Sequence, residues 1–130
     1  MEGFSLIFKQ CIREANDFGY HKGCQPFDLT HLCFADDLFV FTRGDVPSVE
    51  ILKKALSIFA SHSGLVANLE KSEVFFGNVP IDTRNAIHNC IPFRMGTFPI
   101  RYLGVPLSPL RLKMADYGVL VTKVKFRIGR

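Results

Sequence analysis

Two apolar, β-prone runs, Leu29-Thr30-His31-Leu32-Cys33-Phe34 and Leu38-Phe39-Val40-Phe41-Thr42, stand on either side of Ala35-Asp36-Asp37. A small residue and two turn-tolerant carboxylates between two extended runs predict a β-hairpin. Nearly all of both strands is apolar, so the charge at the tip needs a counter-charge. Two carboxylates held side by side repel, and one is driven to protonate unless a cation offsets the repulsion. A hard divalent ion takes one or two carboxylates together with substrate phosphates, the arrangement used in phosphoryl transfer. Asp-Asp also suits an ordinary solvated turn, because Asp is favoured there for local reasons.

The flanking sequence predicts what packs on the hairpin. Phe4, Ile7, Phe8, Cys11, Ile12 and Ala15 recur at three- and four-residue steps, which places them on one face of a helix ending near Gly19. From Pro47 to His62, Val49, Leu52, Leu56 and Phe59 keep helical spacing, with Pro47 suited to the first turn and Gly64 to the position past the end. Val74-Phe75-Phe76 is a further extended run, Asp82 to Cys90 a short helix, and Arg101 to Leu107 a short strand interrupted by Gly104 and Pro106. Met114 to Ile128 carries a helical pattern with Lys123, Lys125 and Arg127 on it. The order of elements predicts an α+β fold with an antiparallel sheet.

Composition excludes several classes. At 130 residues, with 48% hydrophobic and 22% charged residues, the chain has the length of one domain and the balance of one that buries a core. No apolar run approaches the ~20 residues that cross a bilayer, and no secretory leader is visible, so the expectation is an intracellular, soluble protein with no membrane partner. Cys11, Cys24, Cys33 and Cys90 lack zinc spacing and are too sparse for a disulfide framework, which predicts free thiols. His21, His31, His62 and His88 form no metal-binding pattern. Charge is uneven. Residues 1–83 carry seven Lys/Arg and eleven Asp/Glu, and residues 84–130 carry nine and one, so the second part is where a polyanion would be attracted, unless those cations are simply a solvated face.

Three stretches in order resemble the reverse transcriptases of non-LTR, LINE-type retrotransposons, in their plant-like form. Leu29 to Phe41, with Phe34-Ala35-Asp36-Asp37 at its centre, resembles the family's active-site hairpin. Ser63-Gly64-Leu65-Val66-Ala67-Asn68-Leu69-Glu70-Lys71-Ser72 is similar to its next motif, and Ile100-Arg101-Tyr102-Leu103-Gly104-Val105-Pro106-Leu107 to its primer-grip segment. Gly19-Tyr20-His21 ahead of the hairpin is also typical of the family. The resemblance spans nearly the whole chain. It implies a partial polymerase palm over residues 1–79, and a connector, primer-grip segment and first thumb helix over 80–130. It also implies RNA-directed DNA synthesis, Mg²⁺ (or Mn²⁺) as cofactor, an RNA template and DNA primer as partners, and dNTP as substrate of the full-length enzyme.

Residue by residue, the resemblance makes Asp36 a metal ligand with Asp37 beside it. Successive strand side chains point to opposite faces, so Asp36 is favoured for direct coordination. Phe34 would lie near the primer end, and Ala35 would let a nucleic-acid backbone approach. Lys71 would assist the leaving pyrophosphate, against the alternative of a solvated turn lysine. Tyr102 and Gly104, with Arg101 and Leu103 beside them, would touch the primer, against the alternative of a packed aromatic and a turn glycine. The charge of the second part, rather than the resemblance, makes Arg101, Lys123 and Arg127 candidates for nucleic-acid phosphates.

The family's earlier carboxylate strand and its Gly-rich nucleotide-positioning motif have no counterpart upstream of the hairpin. Two Mg²⁺ ions held by one hairpin would be under-coordinated, so the chain reads as a piece of a polymerase, inactive alone. A non-catalytic remnant that binds nucleic acid or a protein partner is the alternative. Without the strand bearing that carboxylate, the hairpin strands Leu32 to Phe34 and Leu38 to Phe41 should present an apolar edge, giving low solubility or self-association unless the helix of Phe4, Ile7, Phe8 and Ile12 folds over the gap.

Overall fold

The hairpin forms as its sequence predicts. Strand β1 (His31–Phe34) pairs antiparallel with β2 (Asp37–Arg43), in a register that sets Phe34 opposite Asp37 and His31 opposite Val40. The computed structural model describes residues 2–15, 31–34, 37–77, 79–96, 100–102, 105–107 and 119–128. Helix α1 (Glu2–Ala15) precedes the hairpin; α2 (Val46–Ser63), β3 (Leu65–Ala67), β4 (Glu73–Gly77), α3 (Ile81–Cys90) and β5 (Arg94–Met95) follow it. Two short strands, β6 (Ile100–Tyr102) and β7 (Val105–Leu107), pair with each other, and β8 (Val119–Ile128) is the last element among the described residues. The fold is α+β, as expected.

Helix α2 begins and ends where its sequence says. The Asp45 carboxylate accepts the Ser48 N–H at 2.9 Å, which satisfies one of the donors that a helix start leaves open. Pro47 sits in the first turn, where its missing N–H costs nothing. Gly64 adopts φ 76° and donates its N–H to the Ala60 carbonyl, closing the helix in the left-handed conformation a side chain would resist.

The 119–128 stretch corrects an expectation: it is a strand, not the start of a thumb helix. Half of its ten residues, Val119, Val121, Thr122, Val124 and Ile128, are β-branched, and such side chains fit a pleated surface better than a helix. It lies in the middle of a six-stranded sheet of order β1-β2-β8-β4-β5, with β3 also paired to β8. All seven residues of β2 are in register with it, from Asp37 opposite Lys125 to Arg43 opposite Val119. Its other side meets β4 from Glu73 opposite Lys123 to Gly77 opposite Val119. The far edge of β2 is therefore covered, where an open apolar edge had been expected. The sheet is mixed rather than wholly antiparallel, because β4 and β5 run parallel.

One face of the sheet packs on the helices. Leu38, Val40, Val74, Leu120 and Val124 meet Phe4, Phe8 and Cys11 of α1, Val49, Ile51, Leu52, Ala55 and Phe59 of α2, and Ile87 of α3. The opposite face is buried as well at Phe39, Phe41, Phe75 and Val121. Strands buried on both sides read as continuous apolar runs, which is why Leu38 to Phe41 shows no alternation. Gly96 lies on the Phe75 ring so closely that a Cβ there would overlap it.

Helix α1 is pinned to β1 by a polar contact inside an aromatic cluster. The Ser5 hydroxyl and His31 Nε2 are hydrogen-bonded at 2.7 Å, and the His31 ring stands edge-on to Phe4 and Phe8. Burial first, and the Lys9 ammonium second, hold His31 below the ordinary histidine pKa. Above about pH 6.5 the ring is neutral both folded and unfolded. Below it the unfolded chain takes the proton first, so stability is expected to fall with pH until the folded ring also protonates. Urea midpoints at pH 7.5 and 5.5 should differ more for the natural chain than for His31→Gln; equal shifts would exclude this residue as the cause.

Candidate functional site

The carboxylate end of the hairpin is built by strand register. Phe34 faces Asp37 across the ladder, leaving residues 35 and 36 as a two-residue connection. Ala35 and Asp36 lie outside the described residues, as does the Phe34 side chain. Asp37 is the first residue of β2, and the period of two puts it on the face of Phe39 and Phe41, away from the helices.

Next to Asp37 is a cation. Lys125, its register partner on β8, holds its ammonium 3.9 Å from Asp37 Oδ1. That distance is an ion pair beyond hydrogen-bond range. Oδ1 is itself buried and has no hydrogen-bond partner. One register step further, the Lys123 ammonium lies 5.9 Å from the centre of the Phe39 ring, with Glu73 opposite on β4. Arg127 continues the alternation at an exposed position opposite Val66.

The Asn68-to-Ser72 turn closes on the same lysine from the other side. The Asn68 N–H donates to the Lys125 carbonyl at 2.7 Å, and Ser72 Oγ accepts the Lys125 N–H at 3.1 Å. Within the turn, the Ser72 and Lys71 amides donate to the Asn68 carbonyl, and the Glu70 amide to Asn68 Oδ1. This is why an Asn and a Ser stand at those positions: they satisfy a tight turn and tie it to β8. Lys71 is left exposed at the tip. Arg94, also exposed, donates to the Glu70 carbonyl at 3.1 Å.

The expected site residues thus divide. Asp37, Lys71, Lys123 and Arg127 gather at one end of the sheet around Lys125. Arg101 and Tyr102 belong to the separate β6–β7 pair, in register with Pro106 and Val105; their side chains, with Leu103 and Gly104, lie outside the described residues. Lys125 is the residue that sequence reasoning left out of the site. The alternation Lys123-Val124-Lys125-Phe126-Arg127 was the signal for it, since period two on a strand puts all three cations on one face.

The divalent ion that the resemblance implies would be held by Asp36, which lies outside the described residues, with Asp37 beside it. Among the described residues no three His, Cys, Asp or Glu side chains are placed to hold a metal. Asp37, the described hairpin carboxylate, has an ammonium beside it. Nor is any helix among the described residues long and apolar enough to cross a membrane. No family model matches the chain, and no solved structure matches it.

Proposed function

We propose that the chain is part of the palm of a LINE-type reverse transcriptase, with RNA-directed DNA synthesis as its chemistry by descent, and that it binds nucleic acid without extending a primer by itself. The first half rests on the meeting of two stretches that resemble consecutive family motifs. The hairpin reaches Lys125 through Asp37, and the Asn68–Ser72 turn reaches its backbone through two hydrogen bonds, one from the Asn68 N–H to the Lys125 carbonyl and one from the Lys125 N–H to Ser72 Oγ. The resemblance implies that these two segments serve one site, the hairpin through its carboxylates and the turn through Lys71.

The second half rests on Lys125. An ammonium at 3.9 Å supplies the charge compensation that Mg²⁺ would give Asp37 in a working site, so the carboxylate is engaged within the fold. Lys71, Arg94 and Arg127 remain exposed near this end and are suited to phosphate oxygens. Three phosphate contacts give a salt slope of about −2.7, so a fourfold rise in salt weakens binding roughly forty-fold.

The test uses the purified chain with an RNA template, an annealed DNA primer, dNTPs and Mg²⁺ or Mn²⁺. Salt-sensitive binding, flattened in Lys71→Gln/Arg94→Gln/Arg127→Gln, is expected without primer extension. Templated extension that Asp36→Ala abolishes would overturn the inactive assignment. Binding indifferent to salt would overturn the phosphate contacts.

A further inference from the structure

We propose that the helix-facing side of the β2–β8 pair holds one internal water molecule, hydrogen-bonded to the hydroxyls of both Thr42 and Thr122. This rests on the sheet alone and stands whether or not the chain derives from a polymerase. Both threonines are fully buried, and neither Oγ1 has a hydrogen-bond partner among the described residues. A hydroxyl taken out of water and left unpaired is destabilising, and buried polar groups that no protein atom satisfies are as a rule satisfied by ordered water.

Register puts the two hydroxyls within reach of one molecule. Thr42 stands opposite Leu120 and Thr122 opposite Val40, so the threonines are diagonal neighbours across the same ladder. The period of two sets them on the face of Leu38, Val40, Leu120 and Val124, which packs on the helices. Diagonal neighbours have Cβ atoms somewhat less than about 7–8 Å apart. Two O–H···O bonds of about 2.8 Å placed end to end span up to roughly 5.6 Å, which the two oxygens meet when their hydroxyls turn toward each other. Each hydroxyl donates once and accepts twice, so the pair supplies the two polar partners that a buried water needs at the least.

The surroundings offer these hydroxyls nothing else. They make no bond to one another, and their register neighbours are apolar: Leu120 for Thr42, Val40 and Val74 for Thr122. An apolar inner face calls only for valine, as at Val40 and Val124, whereas two threonines on one diagonal suit a shared polar ligand. Asp37 Oδ1 is also buried without a hydrogen bond, but it lies on the opposite face of the sheet beside the Lys125 ammonium, so it has no part in this site. The water then joins β2 to β8 beneath the helices, and removing either hydroxyl strands the other.

The test is a double-mutant cycle with a direct count of bound water. Thr42→Val and Thr122→Val should each lower the folding equilibrium constant, read from urea denaturation, by about 5- to 150-fold, since each leaves a buried hydroxyl short of its partner. The double variant should lose far less than the product of the two, because replacing both hydroxyls by apolar groups of similar shape removes the need for the water. Water-oxygen (¹⁷O) relaxation dispersion should then report one fewer long-lived water in the double variant than in the natural chain. Single changes that are neutral, or that simply multiply in the double variant, overturn the proposal. So does an equal count of long-lived waters in the natural chain and the double variant.

Discussion

Alanine at Leu120 is expected to cost about 2–5 kcal/mol, the range for truncating a leucine with no room to relax. Leu120 is fully buried in the central strand, between β2 and β4, and faces the helices. Against the roughly 5–15 kcal/mol that hold a domain together, that loss brings the chain close to unfolding at ambient temperature. The neighbouring residue makes the prediction specific to a strand. Val121 is also fully buried, on the other face, opposite Phe41 and Phe75. Val121→Ala should therefore destabilise too, by less, since two side-chain carbons are lost rather than three. An amphipathic helix over the same residues would tolerate substitution at one of two adjacent positions. Urea denaturation of both variants decides the matter: two losses fit the strand, and one loss with one neutral change does not.

The misreading of this segment has a traceable cause. Met114, Tyr117, Val121, Val124 and Ile128 are spaced by three and four, and Leu120, Thr122, Val124, Phe126 and Ile128 by two. Both periods are present, so periodicity alone cannot choose between helix and strand. The β-branched content chooses, and so does the pair of open strands waiting on either side, which is information no local window contains. By contrast α2 was legible because its signals are local: a proline in the first turn, a glycine after the last, and apolar spacing between. The hairpin was legible for the same reason. The candidate site lay between these cases. Asp37 could be picked out from the residues themselves, and the Asn68–Ser72 turn through its resemblance to a family motif. Lys125 could not, because its importance comes from a register between segments distant in sequence.

Lys125→Asp is expected to turn the end of the hairpin into a site whose stability depends on divalent cations. In the natural chain, Asp37 Oδ1 is buried with no hydrogen bond, and the ammonium 3.9 Å away is the charge that offsets it. Replacing that ammonium by a carboxylate removes the offset and places two like charges directly opposite across the β2–β8 ladder, an arrangement that destabilises a sheet. Without metal the cost is on the order of 1–3 kcal/mol, the usual penalty for stranding a buried polar atom. Two facing carboxylates also suit a hard cation. Mn²⁺ at ten times its Kd would recover about 1.4 kcal/mol by mass action, while the natural chain, its carboxylate already engaged, should gain much less. Thermal unfolding of both proteins with and without Mn²⁺ reads this directly, with Lys125→Asn as the control that removes the ammonium without supplying a ligand. If metal stabilises the natural chain as strongly as Lys125→Asp, the ammonium does not stand in for a cation, and the hairpin carboxylates are open to metal in the fold as it is.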